Sequence, residues 1–260
     1  MKVSVLSAVY NEKDILETVD SWVQYLRNYP EIEAFEIILC DDCSSVEFYN
    51  QMCNDLSIYP EVIILRNQEN EGPGYSFARG MEYAKMEYSL IIDSDGQFPI
   101  ENVKTILLNH KKFGSVKDHV VFTYRDVKYD NFINVFGQRI SGFLCNRIYQ
   151  TKLKDFTCAM KLAPTALLQH LVFDAKYMNY SLDHTSKILE SGSSYSEVGV
   201  ACNQKNEKKR GLISEFKRAI NRYRYISYLR KRKNLIEKRV LFNYSKFSNS
   251  DFRNKFINFK

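Results

Sequence analysis

The segment YSLIIDSDGQFP, residues 88–99, joins a strand-like run to two closely spaced carboxylates. Residues 90–92 are apolar enough to lie inside a sheet, and Asp93 and Asp95 follow them directly. Side chains alternate faces along a strand, so this spacing predicts that both carboxylates point to the same side. Neighbouring carboxylates repel each other, and the pattern therefore indicates a cation between them.

Short β-branched runs alternate with helical patterns on both sides of this segment. The predicted strands are residues 3–9, 35–40, 62–65 and 88–92. Such alternation is typical of right-handed βαβ crossovers, and it predicts an α/β fold with a mainly parallel sheet flanked by helices. In such sheets, ligands bind beyond the carboxyl ends of the strands.

Polar residues follow each of the four predicted strands. They are YNE at 10–12, DDCSS at 41–45, RN at 66–67, and the pair Asp93 and Asp95. Any one cluster could simply cap a helix or form a turn. Together they predict one polar rim, where Mg²⁺ or Mn²⁺ would take carboxylate oxygens and the oxygens of a substrate diphosphate.

Composition narrows the class of protein. The chain has 260 residues, of which 45% are hydrophobic and 26% charged, as expected for one large globular domain with a small appendage. The sequence has no apolar run long enough to span a bilayer, and its start becomes polar too soon for a secretory signal, so we expect a cytoplasmic protein. Six scattered cysteines indicate reduced thiols, and the single C-x-x-C of Cys40 and Cys43 is a weak metal or redox signal.

Four motifs occur in a characteristic order: AVYNE at 8–12, CDDCSS at 40–45, NEGPGYSFARG at 70–80 and DSDGQFP at 93–99. Through these four motifs and their order, the first 125 residues resemble family 2 glycosyltransferases of the GT-A fold. Within that family they are most similar to dolichol-phosphate mannosyltransferase and bacterial polyprenyl-phosphate glycosyltransferases. A nucleotidyltransferase or a Rossmann dehydrogenase is disfavoured, because SAVYNE lacks their glycine-rich signature.

The resemblance implies an inverting, metal-dependent transfer of a sugar from a UDP- or GDP-sugar. It places Tyr10 and Asp42 near the base and Arg79 near a phosphate, and it makes Asp95 the central catalytic residue. The implied nucleotide pocket comprises Ala8, Tyr10, Glu12, Asp42, Gly72, Gly74, Arg79 and Asp93, and the implied metal ligands are Asp93, Asp95 and Gln97.

The second half of the chain resembles the family less closely. VFTYRD at 121–126 is similar to the next strand, and residues 137–162 are similar to the following helix and Asp-x-Thr motif. In that motif Asp155 is a catalytic candidate, although Cys158 and Ala159 replace the usual serine and glycine. Arg125 and Arg139 are candidates for binding an acceptor phosphate, since guanidinium groups suit such oxyanions.

The acceptor is left open between two classes. A saccharide hydroxyl needs a general base, and Asp183, next to His184, lies where saccharide-transferring relatives carry one. A polyprenyl phosphate is already anionic and needs none, yet the loop NQKNEKKRG at 203–211 lacks the motif typical of lipid-phosphate enzymes. His184 is interpreted as structural. A non-catalytic nucleotide-sugar-binding protein is the alternative from another class.

The C-terminal region is strongly basic. Residues 205–239 contain fourteen Lys or Arg and three acids, so the first 204 residues of this +6 chain are net acidic. We predict a catalytic domain at 1–204, with a nucleotide-sugar half at 1–125 and an acceptor half at 126–204, and a basic helical extension at 205–260. Helical spacing of Ile213, Phe216, Ile220, Tyr223 and Ile226 fits a helix on an anionic membrane surface, at the inner face of the plasma membrane, or a helix packed on the catalytic domain. Nucleic-acid binding is disfavoured.

Overall fold

A computed structural model describes residues 1–113, 118–126, 132–175, 177, 179–203 and 212–237, with backbone alone at 132–134, 212–215 and 237. The chain alternates strands and helices almost throughout. The elements are β1 (Lys2–Val9), α1 (Ile15–Asn28), β2 (Ala34–Asp41), α2 (Val46–Leu56), β3 (Val62–Arg66), α3 (Pro73–Tyr83), β4 (Tyr88–Ile91), α4 (Asn102–Lys111), β5 (Val120–Arg125), α5 (Phe132–Tyr149), β6 (Lys161–Pro164), α6 (Thr165–His170), α7 (Tyr180–Glu190), β7 (Tyr195–Val200) and α8 (Leu212–Glu237).

The seven strands form one sheet in the order β3-β2-β1-β4-β6-β5-β7. Strand β6 runs antiparallel to β4 and β5, and the other paired strands are parallel. This confirms the predicted α/β fold with a mainly parallel sheet. The carboxyl ends of β1, β2, β3 and β4 share one edge, as the sequence predicted.

Two apolar cores cover the two faces of the sheet. One core combines alternate sheet residues with the buried sides of α1, α2 and α4. The other combines the remaining sheet residues with α3, α5, α6, α7 and α8. Within β1, for example, Val5 belongs to the first core and Leu6 to the second, as the strand period of two requires.

The turn after β4 corrects one expectation about the carboxylate pair. The strand ends at Ile91, so Asp93 and Asp95 lie in a turn and not on one face of a strand. Gly96 follows at φ +69°, a left-handed conformation that glycine adopts without strain. The turn, and not strand alternation, therefore sets the relation between the two carboxylates.

Helix α8 packs on the body of the protein. Its Tyr225, Ile226 and Leu229 are buried in the same core as α3 and α5. The stripe predicted from the sequence is therefore divided, because Ile226 is buried while Phe216, Ile220 and Tyr223 are exposed. The side chain of Ile213, the loop 204–211 and residues 238–260 lie outside the described part of the chain. No helix within the described ranges has the length and apolar character needed to cross a bilayer.

Candidate active site

The loop before α3 is organised by the carboxylate of Asp42. This buried side chain accepts hydrogen bonds from Asn67 Nδ2 at 2.9 Å and from the backbone N–H groups of Glu71 at 2.9 Å and Gly72 at 2.8 Å. Gly72 has φ +88°, which favours glycine, and it begins α3. The Asp42 carboxylate thus holds this loop in place, and a further hydrogen bond that it would accept from the nucleotide base stays a prediction.

Arg79 stabilises the same loop from α3. Its Nη1 donates to the carbonyl of Arg66 at 2.5 Å and to Asn67 Oδ1 at 2.8 Å. Asn67 thus connects Arg79 to Asp42, a role that its place in the polar cluster RN at 66–67 does not reveal. Contact between Arg79 and a phosphate stays a prediction.

Hydrogen bonds tie together the segments that follow β1, β2 and β4. The backbone N–H of Asn11 donates to Ser44 Oγ at 2.9 Å, and Asn11 Oδ1 accepts from the N–H of Ser45 at 3.0 Å. Ser94 Oγ donates to the carbonyl of Ala8 at 2.8 Å, which fixes the carboxylate turn against β1. The predicted polar rim is therefore one connected surface.

The residues predicted to line the nucleotide pocket differ in accessibility. Tyr10 is 56% exposed and stands beside this rim, where a planar base could stack on it. Glu12 is half-buried, and Gly72 and Gly74 are buried at the start of α3.

The carboxylate pair is held by one side chain and one backbone group. Tyr180, at the start of α7, donates its hydroxyl to Asp93 Oδ1 at 2.6 Å. The N–H of Gln97 donates to Asp95 Oδ1 at 3.0 Å. Burial, followed by repulsion from Asp95, raises the pKa of Asp93 to about 6. Tyr180 was missed by sequence reasoning, because 87 residues separate it from Asp93.

A buried lysine lies near the pair. Lys161 on β6 is the register partner of Ile91 on β4, and its Nζ donates to Thr185 Oγ1 at 3.3 Å. Burial lowers the pKa of Lys161 to about 8, against the opposing effects of Cys158, Asp93 and Asp155. In the sequence, Lys161 stands out only as a charged residue within the apolar run CAMKL, and this pattern does not indicate which side chains it lies near.

The donor set at the turn suits a hard divalent cation. Asp93 and Asp95 supply carboxylate oxygens, and their mutual repulsion is the kind of strain that a bound cation relieves. Across the described ranges, no group of three His, Cys, Asp or Glu side chains is placed to hold a metal ion. The pair therefore fits a metal site that substrate oxygens complete, as expected for a cation bound together with a diphosphate.

A second charged cluster lies at the end of β5. Arg125 Nε donates to Asp155 Oδ2 at 2.8 Å, and its Nη2 donates to Gln138 Oε1 at 3.1 Å and Thr157 Oγ1 at 3.0 Å. Glu197 on β7 accepts from the N–H of Asp155 at 3.2 Å. An acceptor phosphate would therefore have to compete with Asp155 for Arg125.

Two other polar side chains belong to α5. Arg139 lies on the exposed side of α5. Asn146 accepts from Thr151 Oγ1 at 2.7 Å and donates to the carbonyl of Leu153 at 2.8 Å, so it shapes the loop after α5.

Asp183 is placed in the interior of the protein. Its side chain is 0% exposed, and Oδ2 accepts from the N–H groups of Asp174 and Ala175 at 2.5 and 3.0 Å. Arg232 on α8 donates to Oδ1 at 3.2 Å. The prediction of Asp183 as general base is wrong, because a buried carboxylate that is already paired cannot reach an acceptor hydroxyl.

His184 is buried against the rings of Phe77, Phe173 and Tyr180. Burial lowers the pKa of His184 well below its ordinary value, and nearby Lys161 adds to this effect. Such an environment fits the structural role expected from the sequence.

The C-x-x-C pair does not form a disulfide. Cys40 is buried, and burial raises the pKa of its thiol to about 12, which makes it unreactive. Cys43 has φ +62°, and its thiol donates to the carbonyl of Gln68.

Comparison with known proteins places this geometry among sugar transferases. A family model described as "Glycosyl transferase family 2" matches residues 4–172. Poly(ribitol-phosphate) beta-glucosyltransferase of Bacillus spizizenii is 36% identical over 100 residues, which are 36% of this chain but only 15% of that relative.

Solved structures share the fold at low sequence identity. Glucosyl-3-phosphoglycerate synthase from Mycobacterium tuberculosis, in complex with UDP, has a TM-score of 0.64 at 13% identity over 88% of this chain and 80% of its own. Mannosyl-3-phosphoglycerate synthase from Rubrobacter xylanophilus has a TM-score of 0.65 at 12% identity over 96% and 78% of the two chains. The mycobacterial synthase was also crystallised with Mn²⁺, UDP-glucose and glycerol 3-phosphate. These matches confirm the GT-A fold.

Proposed function

Because the chain belongs to glycosyl transferase family 2, we propose that it moves a hexosyl group from a nucleoside-diphosphate sugar to an acceptor, with inversion at the anomeric carbon. The single observation that carries this proposal is the turn after β4, which places the carboxylates of Asp93 and Asp95 together on the polar rim. Asp95 is the central residue of the proposed site, and Gln97 is a further candidate ligand.

The proposed cofactor is Mn²⁺ or Mg²⁺, held by Asp93 and Asp95. When bound, such a cation would neutralise negative charge on the departing diphosphate. Tyr180 keeps Asp93 in one orientation through its 2.6 Å hydrogen bond, and the N–H of Gln97 does the same for Asp95. The Mn²⁺ and UDP-glucose complex of the mycobacterial synthase supports this assignment by analogy of fold.

The proposed donor is a UDP- or GDP-sugar bound across the rim. Tyr10 would stack on the base, with Ala8 and Glu12 beside it, and the loop that ends at Gly72 would cover the diphosphate. Arg79 is half-buried at this loop and is the proposed cation for a donor phosphate.

The proposed acceptor is a phosphate, with polyprenyl phosphate the preferred source. The burial of Asp183 removes the predicted base, which favours an acceptor that is already anionic. Arg125 would meet the acceptor phosphate in exchange for part of its bond to Asp155, and the exposed Arg139 is a second cation on α5. The mycobacterial synthase was crystallised with glycerol 3-phosphate and with phosphoglyceric acid, which supports a phosphate-bearing acceptor without saying which of its groups accepts the sugar.

A second candidate is transfer to a hydroxyl on a lipid-linked or polymeric saccharide. The name of the Bacillus relative, poly(ribitol-phosphate) beta-glucosyltransferase, favours it. Asp155 would then be the base, and it would have to give up part of its ion pair with Arg125 to contact the hydroxyl. For either acceptor, we place the reaction at the cytoplasmic face of the plasma membrane.

The test is a transfer assay with Mn²⁺ or Mg²⁺, a panel of UDP- and GDP-hexoses, and either polyprenyl phosphate or a lipid-linked saccharide. We expect metal-dependent transfer from one nucleotide sugar, and a loss of at least about a hundredfold in Asp95→Asn. The matched control is Asp14→Asn, an exposed aspartate before α1 whose side chain makes no cap hydrogen bond. Nucleotide binding without turnover would identify a non-catalytic binding protein instead.

A further inference from the structure

Helices α5 and α8 pack against each other, and each leaves an apolar stripe in solvent. Gly137 of α5 lies next to the side chain of Arg222 of α8, which shows that the two helices are neighbours. The exposed apolar residues recur at intervals of four and three on both helices, so each set occupies one helical face. They are Phe136, Ile140 and Phe143 on α5, and Phe216, Ile220 and Tyr223 on α8.

These stripes do not belong to the core. On α8 the buried apolar side chains are Tyr225, Ile226 and Leu229, of which Tyr225 and Leu229 lie on the opposite face of the helix from Phe216. Phe143 and Phe216 are 65% and 68% exposed, far more than a packed aromatic side chain. The two helices together therefore present an unusually apolar surface to solvent.

Cations surround this apolar surface without acids between them. The sequence has no Asp or Glu at 132–149 or at 216–236. The exposed cations are Arg139 and Arg147 on α5, and Lys217, Arg224, Arg230 and Lys231 on α8. Among residues 132–149 and 216–236, the charges beside the apolar residues are thus all positive.

We propose that this α5/α8 surface lies on an anionic lipid bilayer. The apolar side chains enter the headgroup layer, and the surrounding cations contact lipid phosphates. A nucleic acid would satisfy the cations but would leave the apolar residues exposed to water. A second copy of this chain would bring six like charges against another six, which disfavours a symmetric dimer.

The proposed acceptor cluster lies across α5 from this surface. Gln138 is two residues from both Phe136 and Ile140 and therefore lies on the opposite face of α5, where it accepts a hydrogen bond from Arg125 at 3.1 Å. A protein seated through α5 would hold the acceptor cluster of Arg125 and Asp155 about one helix diameter, roughly 10 Å, from the headgroup layer that contains the phosphate of a lipid carrier. This part of the inference rests on the proposed function, whereas membrane binding itself does not.

The experiment is co-sedimentation of the full chain with phosphatidylcholine vesicles, with and without phosphatidylglycerol. We expect binding only to the anionic vesicles, and release at high salt. Phe143→Ser with Phe216→Ser removes the most exposed aromatic residue of each helix, and Lys217→Gln with Arg224→Gln removes charge alone; each pair should weaken binding by about tenfold or more.

The matched control is Ile58→Ser, a 70% exposed residue after α2 that should leave binding unchanged. Thermal unfolding checks that each variant is folded. If the aromatic variant does not fold, the charge variant still tests the inference. The inference would be overturned if the parent protein did not bind anionic vesicles, or if the aromatic variant bound them as strongly as the parent. So would a dimer that the aromatic variant disrupts. Cleavage of the nucleotide sugar without vesicles is measured in parallel, so that a failure of the proposed function is seen separately.

Discussion

Replacement of Arg232 by methionine tests the buried charge network that joins α8 to α7. The Arg232 guanidinium contacts the carboxylates of Asp174, Asp183 and Glu190, and Lys187 is the second cation, at 2.9 Å from Asp174. All five side chains are at most 5% exposed. Methionine fills a similar volume, so the change removes charge with little loss of packing.

The expected cost follows from this burial. Loss of Arg232 removes the cation that three buried carboxylates share, and removal of one partner from a buried ion pair costs about 3–5 kcal/mol. For a domain of this size that corresponds to a fall in Tm of roughly 6–20 °C. Arg230→Met is the matched control, because Arg230 is exposed on the same helix and should change stability by less than about 0.5 kcal/mol.

The assay is urea unfolding of the two single variants, of Asp183→Asn, and of Asp183→Asn combined with Arg232→Met. Since Asp183→Asn removes one of the carboxylates left uncompensated, the double variant should be more stable than the sum of its parts by at least about 1 kcal/mol. Strict additivity, or an Arg232→Met protein within about 1 kcal/mol of the parent, would refute the structural role assigned to both residues.

Three shorter predictions concern other parts of the molecule. Gly199→Ala places a methyl group against the side chain of Asp126 and should cost about 1–3 kcal/mol in a thermal scan; an unchanged Tm would show that the β5–β7 edge adapts. Tyr180→Phe removes the donor to Asp93 and should weaken Mn²⁺ binding in the presence of UDP by about 10–100-fold in calorimetry, whereas parental affinity would exclude a positioning role. Because burial lowers the pKa of His184, only the unfolded chain binds a proton there just below pH 6.5, and the free energy of unfolding therefore decreases as the pH is lowered through that range. His184→Phe should reduce this pH dependence by up to about 1.4 kcal/mol per pH unit in urea melts, and an unchanged pH dependence would contradict the expectation.

Local sequence patterns determined the sheet and its rim. Alternating runs located β1, β2 and β3 to within about a residue of their observed ends. The ordered motifs also identified the family, because glycines and carboxylates at strand ends are local signals with few alternative explanations.

The same local reasoning failed where a side chain's role depends on its depth in the fold. Asp42 and Asp183 are carboxylates in motif-like positions, yet both are buried and bonded to nearby backbone N–H groups. A sequence gives the residue type and the spacing. Which hydrogen-bond donors surround a carboxylate depends on which other segments the fold brings next to it. Neither role was therefore accessible without the packing.

The sequence by itself determined the α/β alternation, the family and the position of the carboxylate pair directly after β4, since each depends on residues within about one element of each other. Tertiary structure alone decided which groups face that pair: Tyr180 and Lys161 reach Asp93 from elements 87 and 68 residues further along the chain. It also divided the basic helix into a buried face and an exposed one. Contacts between distant elements depend on the order of strands in the sheet, and that order is set by the packing of the whole chain.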